Sequence, residues 1–149
     1  MTRSPSTRHA SRIRQGLFAL LSAASLLAFA PPSNADGIDL YARWLAEDIE
    51  GGGVIDRLQT TLEIRSEGAV SGSGGCNRFT GQAEISEQTI SFGALAATRM
   101  MCPPASMDQE GKFFAALDKV SQWQIDQLTQ KLTLLDDDDK ALVVFALMD

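Results

Sequence analysis

Two cysteines, Cys76 and Cys102, are the residues of this chain best suited to covalent chemistry. A thiol becomes a nucleophile only when a base or cation draws off its proton. The usual base is missing, because the only histidine is His9, in a leader expected to be removed. Without it, Ser-His-Asp and Cys-His catalysis and every histidine-containing metal site are excluded. Carboxylates are plentiful, with 19 Asp and Glu, and two of them could in principle form a glycosidase pair. No spacing singles out two. Asp136 to Asp139 offers hard oxygen ligands for calcium. It lacks the glycine and the distal glutamate of a calcium loop, so it reads as a solvated hairpin turn. Gly72, Gly74 and Gly75 suggest a phosphate loop, but no Gly-Lys-Ser/Thr and no helix follow. Within a strand pattern they signal a bulge or a close backbone contact instead. Asn77 is suited to left-handed backbone angles. Arg99, among Leu95, Met100 and Met101, reads as a partly buried cation bonded to carbonyls or an acid, with anion binding as the alternative.

The compartment decides what the cysteines do. Arg3, Arg8, Arg12 and Arg14 form a basic leader, Gly16 to Ala30 is an apolar run, and Ser33-Asn34-Ala35 supplies small residues. Residues 1–35 therefore read as a secretory signal peptide, cleaved between Ala35 and Asp36. The apolar run is short for a bilayer span, no cysteine sits near the cleavage site, and no Arg-Arg pair precedes the run. A periplasmic or secreted protein with no stable membrane anchor is expected. Four of the 13 basic residues and none of the 19 acids lie in the leader, so residues 36–149 carry 9 − 19 = −10 formal charges. Such a surface repels nucleic acid and anionic membrane. The length suits one domain, expected to be monomeric.

Short strands and one helix must position these residues. Trp44 to Ile49 reads as a strand, followed by the turn Gly51-Gly52-Gly53, with Val54 and Ile55 resuming it. Leu58, Leu62 and Ile64 alternate with polar residues, Ala69-Val70-Ser71 starts another strand, and Phe79, Gly81, Ala83 and Ile85 share one parity. Thr89 to Phe92, Trp123 with Ile125, and Leu132 with Leu134 continue the pattern. Ala141 to Leu147, nearly all apolar, is predicted to be central. Ser106 and Gln109 have capping-box spacing, which predicts a helix start with Asp108 and Glu110 in its first turn. Phe113, Leu117 and Val120 form its apolar stripe, widened by Phe114 and Ala116. Trp44, Phe79, Phe113, Leu117, Trp123, Leu134 and Val144 are the predicted core. The fold class is α+β: a curled antiparallel sheet or partly open barrel of about eight short strands with one packed helix.

Gly75-Cys76-Asn77-Arg78-Phe79-Thr80-Gly81, then Leu95, then Thr98-Arg99-Met100-Met101-Cys102-Pro103 resemble the META domain family, and in particular its HslJ-like heat-shock-inducible bacterial envelope proteins. Trp44, Glu110, Phe113, Leu132 and Leu134 also fit, so the resemblance covers nearly all of residues 36–149. It implies a compact antiparallel sheet wrapped against a helix. It also implies links to heat shock, envelope stress, antibiotic tolerance and, in some parasites, virulence. No catalytic residue and no cofactor come with it. Some relatives are lipoproteins, but this chain lacks the lipidation cysteine. Both cysteines lie in the matched motifs, and an oxidising compartment favours a Cys76–Cys102 disulfide. Two buried free thiols are the alternative.

The sequence therefore points to a non-enzymatic accessory protein of the bacterial envelope that binds a protein or envelope component under stress. The other reading is a small secreted binder or inhibitor of an extracellular hydrolase. Intact-mass measurement of the exported protein is expected to give a chain starting at Asp36; a retained leader would refute the export reading.

Overall fold

The structure, a computed structural model, describes residues 37–149. The predicted leader and the Ala35–Asp36 cleavage site lie outside the described residues. Nine strands and one helix follow one another: β1 Arg43–Ile49, β2 Thr61–Ile64, β3 Ala69–Ser73, β4 Arg78–Ser86, β5 Thr89–Phe92, β6 Ala96–Ala97, α1 Pro104–Leu117, β7 Gln122–Asp126, β8 Lys131–Leu135 and β9 Ala141–Leu147. All strand pairs are antiparallel, in the order β3-β2-β1-β9-β8-β7-β5-β4-β6, and β3 also pairs with β4. Hydrogen bonding therefore runs in a ring around a curled sheet, with β6 as a short extra strand alongside β4. The weakest join is between β5 and β7, which share one register pair, Thr89 with Gln122.

Alternation explains the sheet. Along β4, Phe79 and Ala83 point into the core while Arg78, Thr80, Gln82 and Glu84 face solvent. Leu62 and Ile64 of β2 and Leu132 and Leu134 of β8 do the same. The central placement of β9 holds: it lies between β1 and β8, with Leu142, Val143 and Phe145 buried. Helix α1 lies against β1 and β9. Its side chains Phe113, Ala116 and Leu117 fill the interior. Phe113 is fully buried among aromatic neighbours, with ring centroids 5.9 Å from Phe79, 5.7 Å from Phe114 and 6.3 Å from Phe145.

Several local expectations are corrected. Val144 is only partly buried, because the pleat turns Val143 and Phe145 inward and Val144 to the other face. Trp123 packs at the margin of the core rather than within it. Val54 and Ile55 lie in a loop, not a strand. The helix begins two residues before Ser106, at Pro104, and no side chain caps it. Proline at the first helical position has the right φ and no N–H to satisfy, so a capping box has no purpose there. Asp108 and Glu110 consequently fall beyond the first turn. Asp108 pairs instead with Lys112 across one turn of the helix, at 2.8 Å.

Replacing Phe113 by Ala empties the aromatic cluster and is expected to cost about 3–5 kcal/mol. Chemical denaturation measures this, and a loss below about 1 kcal/mol would contradict the described packing.

Candidate functional site

Gln109 and Glu110 are successive residues on the inner side of α1, 7% and 6% exposed. Neighbouring helical positions diverge by about 100°, so each reaches a different loop. Gln109 Oε1 accepts from the Ile55 N–H at 2.6 Å, and its Nε2 donates to Thr60 Oγ1 at 3.0 Å. Thr60 Oγ1 in turn donates to the Gly74 carbonyl at 3.1 Å. Glu110 Oε2 accepts from the backbone N–H groups of Cys76 and Asn77, at 3.1 and 2.5 Å. Its Oε1 accepts from Asn77 Nδ2 at 2.7 Å. A buried carboxylate is tolerable only when donors surround it, and three converge here. The approach requires Gly74, where a Cβ would lie 2.7 Å from the Glu110 side chain.

Asn77 carries the network onward. Its Oδ1 accepts from Thr98 Oγ1 at 2.9 Å and from the Met100 N–H at 2.6 Å. Thr98 Oγ1 accepts from the Arg78 N–H at 3.2 Å. The left-handed conformation expected at Asn77 falls instead to Gly75, with φ 116°. Asn77 is buried, and its amide ties the segment after β6 to the start of β4. Cys76 and Cys102 form a disulfide across the same two segments, with Cα atoms 6.0 Å apart. The bridge spans a separation of 26 residues. In the chain-entropy account such a closure contributes roughly 3–4 kcal/mol.

The motif residues divide by direction. Gly75, Cys76, Asn77, Thr98 and Cys102 build the clasp, Phe79 enters the core, and Gly81 lies beneath Leu95. Arg78, Arg99, Met100 and Met101 face solvent. Arg99 is exposed, not partly buried as its apolar neighbours suggest, and no side-chain hydrogen bond or ion pair holds it among the described residues. The loop is anchored through Asn77 and the disulfide, so nothing needs to draw Arg99 inward. Met101 is 96% exposed beside the bridged Cys102. In the aspartate turn, Asp136 Oδ1 accepts from the backbone N–H groups of Asp138 and Lys140, at 3.0 and 2.9 Å. Among the described residues no group of three or more His, Cys, Asp or Glu is placed to hold a metal ion.

The sequence profile of the META domain matches residues 39–149. The chain belongs to the META domain family. Two structures solved by NMR resemble it. One is 28% identical, with a TM-score of 0.54, covering 72% of this chain and 89% of its own. The other, from Burkholderia xenovorans, is 23% identical with a TM-score of 0.59, covering 80% of this chain and 97% of its own. No curated protein matches the chain. In this META domain the matched motif is chiefly a structural clasp. Sequence reading missed the parts played by Gln109 and Glu110 in it. Their signal was present: with Phe113, Ala116 and Leu117 they fall on the buried side of one helix.

Glu110→Ala strips three buried donors of their acceptor and is expected to destabilise the domain by about 3–5 kcal/mol. Asp108→Ala, on the exposed side of the same helix, should change stability by less than about 0.5 kcal/mol. Equal effects in denaturation curves would remove Glu110 from its anchoring role.

Proposed function

We propose that this META domain is a non-enzymatic, exported accessory protein of the bacterial envelope that acts by binding a protein or envelope component under stress. Family membership and the leader sequence support the setting. The single observation that carries the mode of action is how the motif spends its groups. The Glu110 carboxylate and the Asn77 amide are consumed in mutual hydrogen bonds, and both thiols are consumed in one bridge. The groups best suited to chemistry are therefore committed to holding a loop. That loop presents Arg99, Met100 and Met101 outward. An anchored loop with an exposed, adaptable methionine suits recognition, because the tethered backbone has little freedom left to lose while the flexible side chain can fit its partner.

A second reading, inhibition of an external hydrolase, is favoured by Met101 alone. A nearly fully exposed side chain beside a disulfide is a pre-organised element that can enter a cleft.

Cross-linking of the purified exported protein in heat-stressed envelope extracts tests the proposal. A stoichiometric partner should be captured and then lost in the Arg99→Glu, Met101→Asp double variant, whose melting temperature should match the parent. Unchanged capture by the double variant would overturn the loop as the contact surface. Stoichiometric inhibition of an envelope protease or lysozyme, lost in the same variant, would favour the second reading.

A further inference from the structure

Away from the loop tip, the outer face of β1–β4 carries an unassigned cluster of cations. Strand register places Thr61 opposite Ser73, and Ser73 opposite Arg78. Arg43 and Arg57 close the same open depression, of about 400 Å³, and no carboxylate lines it. Three arginines thus line one depression in a chain whose formal charge is −6 with 19 acidic residues. A second depression of about 260 Å³ shares Arg43, Thr61, Ser73 and Arg78 and adds Glu63. Glu63 accepts from Arg65 Nε at 3.1 Å and also pairs with Arg43 Nε at 3.9 Å, so Arg43 is partly neutralised and Arg57 and Arg78 are the cations left to a ligand. Arg57 and Arg78 form no ion pair among the described residues.

The floor of the depression is polarised in the same sense. Thr61 Oγ1 accepts from the Ser73 N–H at 3.2 Å, and Ser73 Oγ accepts from the Gly75 N–H at 3.2 Å. A hydroxyl has one proton to give, and neither of these donates to another group among the described residues. Each is thus used as an acceptor towards a backbone N–H, and its O–H is open to solvent and free to donate.

We propose that this depression binds a phosphate group. Its donors are forked guanidinium groups and two free hydroxyls, which together outnumber what the two oxygens of a carboxylate accept. A tetrahedral, doubly charged oxyanion presents three oxygens and uses them. The net negative charge of the chain disfavours long polyanions such as nucleic acid, so a small phosphate or a single headgroup fits the site. The assignment stands apart from the loop tip at Met101 and from any role in stress.

Titration calorimetry of the purified protein with pyrophosphate at physiological ionic strength tests the site. One saturable site per chain is expected, with amide NMR shifts centred on Thr61 and Ser73. Arg57→Gln and Arg78→Gln should each weaken binding about tenfold. Arg99→Gln, which removes an exposed arginine outside the depression, should leave it unchanged. All four proteins should melt alike, since neither Arg57 nor Arg78 has a side-chain partner to lose. Co-sedimentation with phosphatidylcholine vesicles, with and without phosphatidic acid, distinguishes the sources. Binding confined to phosphatidic acid vesicles and lost in the two variants would assign the group to a lipid headgroup; binding of pyrophosphate in solution would assign it to a free phosphate. Absence of saturable binding in both arms overturns the proposal. So does equal weakening by Arg99→Gln, which would reduce the effect to net charge.

Discussion

The seating of the Glu110 carboxylate against the backbone of Cys76 and Asn77 is the constraint on which the motif region depends. A charge this deep is stable only if its donors are fixed in place. The helix, the turn before β4 and the segment after β6 must therefore be correct together. Asn77 makes the demand reciprocal. It donates to Glu110 while accepting from Thr98 and Met100, so loss of either partner leaves a buried amide half-satisfied. The disulfide runs parallel to this network. It limits how far the two segments can separate, while the hydrogen bonds set their orientation.

One consequence concerns the meaning of the family signature. Motifs with Cys, Asn, Arg and Glu invite a search for an active centre. In this META domain the Glu and Asn face each other, the cysteines are joined, and Arg78, Thr80, Arg99, Pro103 and the two methionines are left facing solvent. The signature thus has an inner half that builds and an outer half that can recognise. Arg78 belongs to the outer half by direction, yet it shares its depression with Arg43 and Arg57, which lie outside the motif.

Much of the fold was legible because its signals are local. Phe79 and Ala83 alternate with polar residues, and Phe113 and Leu117 recur at helical spacing, so each declared its face without reference to the rest of the chain. The two-residue strand β6 carries too few residues to show a period. The helix start was obscured because Ser106 and Gln109 imitate a capping box, while Pro103 and Pro104 had already set the boundary. Gln109 and Glu110 are harder in principle. Their partners lie 54 and 34 residues away in sequence, and no local pattern reveals which distant N–H a buried polar side chain will meet. Arg99 fails for the opposite reason: apolar neighbours in sequence suggested burial, but a loop anchored elsewhere exposes the whole segment.

The pairing of β1 with β9 also determines when the domain can exist. Trp44 lies opposite Leu147 and Leu45 opposite Ala146, so the ring joins the two ends of nearly the whole described chain. Closing so long a segment carries a loop-entropy cost before any ladder bond repays it, which makes such topologies slow to fold. Until β9 is in place, β1 has only β2 beside it and β8 only β7, and the pocket that receives Phe113 has no far wall. The first strands alone therefore leave the interior open on the side that α1 and β9 close. The last strand to be made is thus the one that completes the ring.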